Sequence, residues 1–451
     1  DYLEHDLDNY FRARGRTIGE ATSPDYHVDF TTACLDTSTR AVAKQGNDLR
    51  FGRIYGGVGQ ATCWWSTGHA PDYFDVSQHR VYWLSRNGSK IQGHVWAPQG
   101  AAPGPRPAVV VTTGSINASD QMYWWANRAL AMAGYIVLSW DVQGQGQSET
   151  FGHEPGSPAP TADGVPFQQA PNFDQGTIDA LRFLFSTPAE PYSPTGWSAE
   201  DVAAARAAAG GEQLDWFNPQ WASLDRDNVG IAGHSLGAGS VSRVQQCSRY
   251  DSPFGDQDLP SVCDGQKFPI RAVVAWDALS ANVTPVVPAM DQKADGYFLF
   301  PTLTPSAPDP NESLNAYSLW KGAGLDVFMY VVRAGTHIDW SQVPYTASTT
   351  YGWFANAYYT VAWMDRWVNP DPAVQADALE RLLTGPFGGP DGDPSLPWSA
   401  NHFSARRYSA LSMRDAGDDL VEAVDLRAWT GRSPVGDWAG ANADTEGRVL
   451  P

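Results

Sequence analysis

Gly233-His234-Ser235-Leu236-Gly237 sets a serine between two glycines, each two positions from it. A serine hydroxyl is a poor nucleophile at neutral pH; it needs a base to take its proton and an acid to hold that base. The flanking glycines permit a turn tight enough to lift the hydroxyl into the open. Where such a serine follows a strand and opens a helix, the partners follow in the order acid, then histidine. Of nine histidines, only His337 and His402 come after Ser235. His337 sits in the turn AGTH directly after the apolar run VFMYVVR, whereas His402 lies in an irregular tail, so His337 is the expected base. For the acid, Asp295 in PAMDQKADGYF is the first choice, with Asp309 in SAPDPNES and then Asp277 at the end of IRAVVAWD as alternatives. Asp309 would serve equally as the cap of a helix in ESLNAYSLWKGAG. An oxyanion requires two backbone N–H donors. Leu236, after the nucleophile, and Ser115 in VTTGSINAS are expected to supply them, with Ile116 as the alternative second donor.

These residues need strands and helices to position them. From His79, HRVYWLS, a turn at Arg86-Asn87-Gly88 and KIQGHVWAP alternate like a β-hairpin. PAVVVTT is a continuous β-branched run, the pattern of a strand buried on both faces. The helical segment QMYWWANRALAMAG and the strand YIVLSWD complete a βαβ unit. The Gly-rich turn DVQGQGQSE carries only a lone G-x-G and no Walker lysine, weak grounds for a phosphate site. A helix in FDQGTIDALRFLFSTP follows, then strands NVGIAG, IRAVVAWD and LDVFMYVVR, and a helix near 351–368. The expected organisation is an N-terminal extension over 1–78, a catalytic domain over 79–369 with a lid-like insertion at 190–226, and a C-terminal extension over 370–451 packed on the core.

Composition bounds the partners. The chain has 451 residues, 42% hydrophobic and 18% charged, and no apolar run near 18 residues, so no integral membrane association is expected. A net charge of -20 repels phosphate backbones, and nucleic acid is not an expected partner. Cysteines at 34, 63, 247 and 263 show no C-x-x-C spacing, which argues against a zinc site. Two short-loop disulfides, Cys34–Cys63 and Cys247–Cys263, are expected, and with a first residue Asp1 rather than Met they suit a secreted, processed chain. Nineteen tryptophans include Trp124, Trp125, Trp276 and Trp340 near the implied site. They suit either ordinary core packing or an aromatic wall for an acyl chain.

The region from about 79 to 369 resembles the α/β-hydrolase superfamily, and is most similar to its dienelactone-hydrolase and cutinase-like polyester-hydrolase branches. The resemblance rests on VVVTTGS followed by MYWWANRALAMAGYIVLSWD, on GHSLGAGS, and on VVRAGTH followed by the helix ending AWMDRWV. It implies an α/β fold with a mostly parallel central sheet and helices on both faces, and an acid one strand later than Asp277. It also implies a cofactor-free esterase acting on a small-molecule or polymeric ester through an acyl-enzyme. The same triad would serve a serine peptidase or an acyltransferase, and a non-catalytic surface or carbohydrate-binding protein on such a scaffold is the reading from another class. The region around the acid is longer than in compact cutinases, and neither terminal extension has a counterpart there.

Overall fold

In the computed structural model, the described residues are 76–100, 104–115, 118–161, 169–209, 214–250, 253–255, 258–294, 310–332, 337–341, 352–384 and 409–423. The centre is a ten-stranded sheet in the order β1-β2-β4-β3-β5-β6-β7-β8-β9-β10. Its strands are β1 (Val76–Leu84), β2 (Lys90–Pro98), β3 (Arg106–Thr112), β4 (Ile136–Trp140), β5 (Leu224–His234), β6 (Ile270–Trp276), β7 (Ala289–Ala294), β8 (Val327–Val332), β9 (Ala410–Arg414) and β10 (Leu420–Ala423). The stretch from β4 through β3, β5, β6 and β7 to β8 is parallel, and the pairs outside it are antiparallel. The chain is therefore α/β, with a large, mostly parallel sheet.

The apolar runs are continuous because successive side chains enter different layers. Val109, Val111, Val137 and Ala232 join a core with α1 (Trp124–Met132), α6 (Gly352–Trp367) and α7 (Pro372–Thr384). Ala108, Val110, Ile136, Leu138 and Ile231 join the opposite core with α2 (Ala170–Phe185), α4 (Leu236–Val244) and α5 (Pro310–Gly322). Both faces of the parallel strands are thus covered.

Three features add to the expected organisation. Strand β7 was hidden because AMDQKA is polar, yet all six residues are buried. The C-terminal region does more than pack on the core: β9 pairs with β8 and β10 with β9, so it extends the sheet. The 190–226 insertion includes α3 (Ala199–Ala209), and its described contacts are with the hairpin and with α2, where Arg182 donates to Ser193 O. The Tyr192 hydroxyl donates to Leu84 O, Trp197 Nε1 to Arg86 O, and Asp215 N to Tyr82 O. Cys247 and Cys263 form a disulfide across the segment between α4 and β6. Cys34, Cys63 and the 1–75 part of the N-terminal extension lie outside the described residues.

Candidate active site

Parallel strands deliver their C-terminal ends to one edge, and the chemistry collects there. Ser235 stands between the end of β5 and the start of α4, with φ 56° and ψ -123°. A non-glycine residue in that region is strained and persists only where its surroundings hold it. Here the Ser235 N–H donates to Trp276 O at 3.1 Å and Ser235 O accepts from Gly239 N at 3.0 Å. The motif glycines are steric requirements: a Cβ on Gly237 would strike the carbonyls of Thr112 and Thr113, and one on Gly233 would strike Gly237. Ser235 itself is half-buried, and so within reach of solvent.

His337 opens a short 3-10 turn, His337–Trp340, after β8. Its Nε2 lies 2.8 Å from Ser235 Oγ and its Nδ1 lies 2.5 Å from Asp277 Oδ2. A carboxylate only accepts, so Nδ1 carries the proton and Nε2 offers its lone pair to the serine O–H. That is the tautomer a general base needs. Asp277 also has a positive φ, 67°, a conformation aspartate tolerates better than most residues.

The aspartate that meets His337 is not the first choice from sequence. His337 Nδ1 faces Asp277, the last-ranked of the three aspartates, directly after β6. Asp295, directly after β7, and Asp309 lie outside the described residues. The second oxygen of Asp277 accepts from Ala294 N at 2.7 Å and is ion-paired with Lys293 Nζ. Asp277, Lys293 and His337 are all buried. Burial alone would raise the Asp277 carboxyl, but Lys293 and His337 outweigh it and hold it below the usual carboxylate range. Sequence reasoning missed Lys293; an ammonium four residues from the strand start at Ala289 gave no period to follow, and only the pairing of β6 with β7 brings it to Asp277.

Leu236 is the first residue of α4, where a backbone N–H has no acceptor within the helix. Ser115 ends the loop after β3 among the described residues, and Ile116 lies outside them. The N–H of Gly114 is already committed to Tyr123 Oη at 3.0 Å. The Gly-rich turn after β4 has a use other than phosphate. It wraps the buried carboxylate of Asp141, which accepts from Asp120 N at 2.6 Å and from Gln147 N at 2.7 Å. Gly146, at φ 54°, lies so close to that carboxylate that a Cβ would overlap it. Burial, followed by repulsion from Asp120, pushes the Asp141 carboxyl well up.

The four tryptophans belong to the core. Trp124, Trp125, Trp276 and Trp340 are buried. All four indole N–H groups are satisfied internally: Trp124 donates to Asp120 Oδ2, Trp125 to Trp340 O, Trp276 to Thr360 Oγ1, and Trp340 to Gln292 Oε1. Core packing, rather than an acyl-binding wall, is their role in this structure.

Beside Lys293 on β7, Asp291 is buried, with neither carboxylate oxygen in hydrogen-bond contact among the described residues. Burial pushes its pKa up to about 6, with the charge of Lys293 opposing only in part. Between about pH 4 and pH 6 the folded chain then binds more protons than the unfolded chain, so this residue adds stability as the pH falls through that window. At pH 7 it costs about 3 kcal/mol. Asp291→Asn is expected to raise Tm by a few degrees at pH 7 and to lose that advantage near pH 4, as followed by calorimetry. An unchanged Tm at both values would show that the carboxylate is relieved in solution.

Among the described residues, no group of His, Cys, Asp and Glu is arranged to hold a metal ion, and no helix is long and apolar enough to cross a membrane. No protein-family model matches the chain, and no curated protein matches it.

Proposed function

We propose that this chain is a secreted serine hydrolase of carboxylic esters on an α/β-hydrolase fold, acting through Ser235, His337 and Asp277. The observation that carries the reading is the unbroken hydrogen-bond chain from Ser235 Oγ through His337 to Asp277, with the serine held at positive φ between a strand and a helix. Ser235 Oγ attacks the ester carbonyl while His337 Nε2 takes its proton, and buried Asp277 stabilises the imidazolium that forms. The oxyanion is received by the N–H groups of Leu236 and Ser115. His337 returns the proton to the departing alkoxide. Water, activated by the same imidazole, then releases the acid from the acyl-enzyme. No cofactor takes part in this scheme. The ester class is supported by the resemblance carried in VVVTTGS, GHSLGAGS and VVRAGTH. Secretion is supported by the Cys247–Cys263 disulfide, a bond that persists in oxidising compartments.

A fluorophosphonate probe followed by peptide mapping tests the reading, with hydrolysis of short p-nitrophenyl esters alongside. A single adduct on Ser235, absent in Ser235→Ala, together with ester turnover, is the expected result. Folded protein that takes no adduct and turns over no ester would overturn it in favour of a binding protein on this scaffold.

A further inference from the structure

His234, the residue before the nucleophile, is buried and takes no part in the proton transfer described above. Its Nε2 lies 2.7 Å from His337 O, and its Nδ1 lies 2.8 Å from Tyr123 Oη. A carbonyl oxygen only accepts, so Nε2 must carry the proton and Nδ1 must accept from the Tyr123 O–H. The tyrosine oxygen is then free to accept from Gly114 N at 3.0 Å. Every donor in this row has one acceptor: Gly114 N–H to Tyr123, Tyr123 O–H to His234, His234 Nε2–H to His337 O. A doubly protonated His234 would turn two N–H groups on the tyrosine oxygen and leave its O–H without an acceptor. The charged or titratable groups near His234 are His337, Asp277, Lys293 and Tyr123, and burial, with the His337 imidazole, pushes His234 down to about 3. Burial likewise pushes the Tyr123 phenol up, keeping it an O–H donor.

The same loop is held a second time. Gln145 donates from Nε2 to Gly114 O at 3.1 Å and accepts at Oε1 from Ala118 N at 3.1 Å, spanning the two ends of the Gly114–Ala118 loop. The Gly114 carbonyl and the Ser115 N–H belong to one planar peptide unit and, in the trans form, point in opposite directions. Fixing the carbonyl on Gln145 therefore fixes where the Ser115 N–H is aimed. We infer that Tyr123, His234 and Gln145 are positioning residues that lock the oxyanion peptide Gly114–Ser115 to the nucleophile turn and to the backbone of the catalytic histidine. The chain of contacts joins three segments that sequence leaves far apart, the loop after β3, the turn after β5 and the turn after β8, and makes their spacing a single rigid quantity.

The inference rests on the esterase reading for its kinetic test but not for its spectroscopic one. In the wild-type chain, nitrogen–proton correlation spectra of labelled histidine, with His234 assigned by comparison with His234→Gln, are expected to show a neutral Nε2–H ring from pH 5 to 8. An Nδ1–H tautomer, or a titration in that range, would overturn the inference whether or not the protein is an esterase. In ester hydrolysis, Tyr123→Phe and Gln145→Met are each expected to lower kcat about 10- to 100-fold with KM changed less than threefold, because oxyanion stabilisation is realised only in the transition state. Affinity for a boronate transition-state analogue should fall in parallel with kcat/KM. A purely structural role would instead reduce the folded, fluorophosphonate-titratable fraction while leaving kcat per titrated site intact, and that outcome would sink the inference. Using two variants on opposite sides of the loop keeps the test decisive if one of them fails to fold. A wild-type chain that takes no adduct defeats the esterase reading, and the histidine spectra then decide this one.

Discussion

Asp277→Asn is expected to lower kcat for ester hydrolysis by about 10⁴-fold, with the protein folded and Ser235 still in place. The size follows from which way the new amide must point. One carboxylate oxygen of Asp277 takes two donors, Lys293 Nζ and Ala294 N, and the other faces His337 Nδ1. Two donors can be met only by the amide oxygen, so the NH2 group is forced toward His337. Nδ1 must then accept, the ring proton moves to Nε2, and the imidazole turns a donor rather than a lone pair toward Ser235. Asp295→Asn, by contrast, should leave kcat within a few-fold of wild type. Steady-state kinetics on both variants, normalised to the folded fraction, decides between the two aspartates. A large loss in Asp295→Asn with Asp277→Asn unaffected would return the acid to the position that the resemblance implied.

Lys293→Met should destabilise the fold by about 3–5 kcal/mol at pH 7, because it leaves the buried Asp277 carboxylate without its cation. The Asp277 carboxyl is held below its ordinary range by Lys293 and His337 against the opposing effect of burial. The contribution of that depressed group is complete above its unfolded value, near pH 4, and is lost as the pH falls through its folded value. The difference from wild type should therefore be wide at pH 7 and narrow below about pH 4. Chemical denaturation across that range is the measurement. Asp277→Asn/Lys293→Met removes both charges together, and it should be more stable than the Lys293→Met single variant, since a matched pair of neutral groups strands no buried ion. Its kcat should remain low. Recovery of stability without recovery of activity would separate the structural work of the ion pair from the catalytic work of the carboxylate. Additive losses in the double variant would show instead that the two groups act independently.

Some of this was legible in the sequence because it is local. The nucleophile turn is a matter of glycine spacing between an apolar strand and a helix, and GHSLG states it within five residues. His337 was found because a histidine after the β-branched run of β8 must emerge at the C-terminal edge of the sheet. The two-layered core was legible too, since PAVVVTT has no polar face to show to water, and its alternate residues do enter opposite cores.

What escaped was settled across strands. β7 shows no strand pattern because Asp291, Gln292 and Lys293 carry polarity that usually marks the surface, and of the three, Gln292 and Lys293 find partners inside on other elements. Lys293 has Asp277 from β6, and Gln292 Nε2 has Asn356 O and Thr360 Oγ1 from α6. The choice among three aspartates could not be made from chain order, because the aspartate that meets His337 is picked out by a distance of 2.5 Å between residues 60 positions apart. His234, Tyr123 and Gln145 show no pattern at all, being an ordinary histidine, tyrosine and glutamine until the tertiary fold aligns their donors and acceptors. The strand, turn and helix around Ser235 follow from local sequence, since they depend on steric freedom and hydrophobic period along a few residues. Which carboxylate, which cation and which hydrogen bonds surround His337 depends on the packing of distant strands, since in a buried place each polar group must find its partner in space.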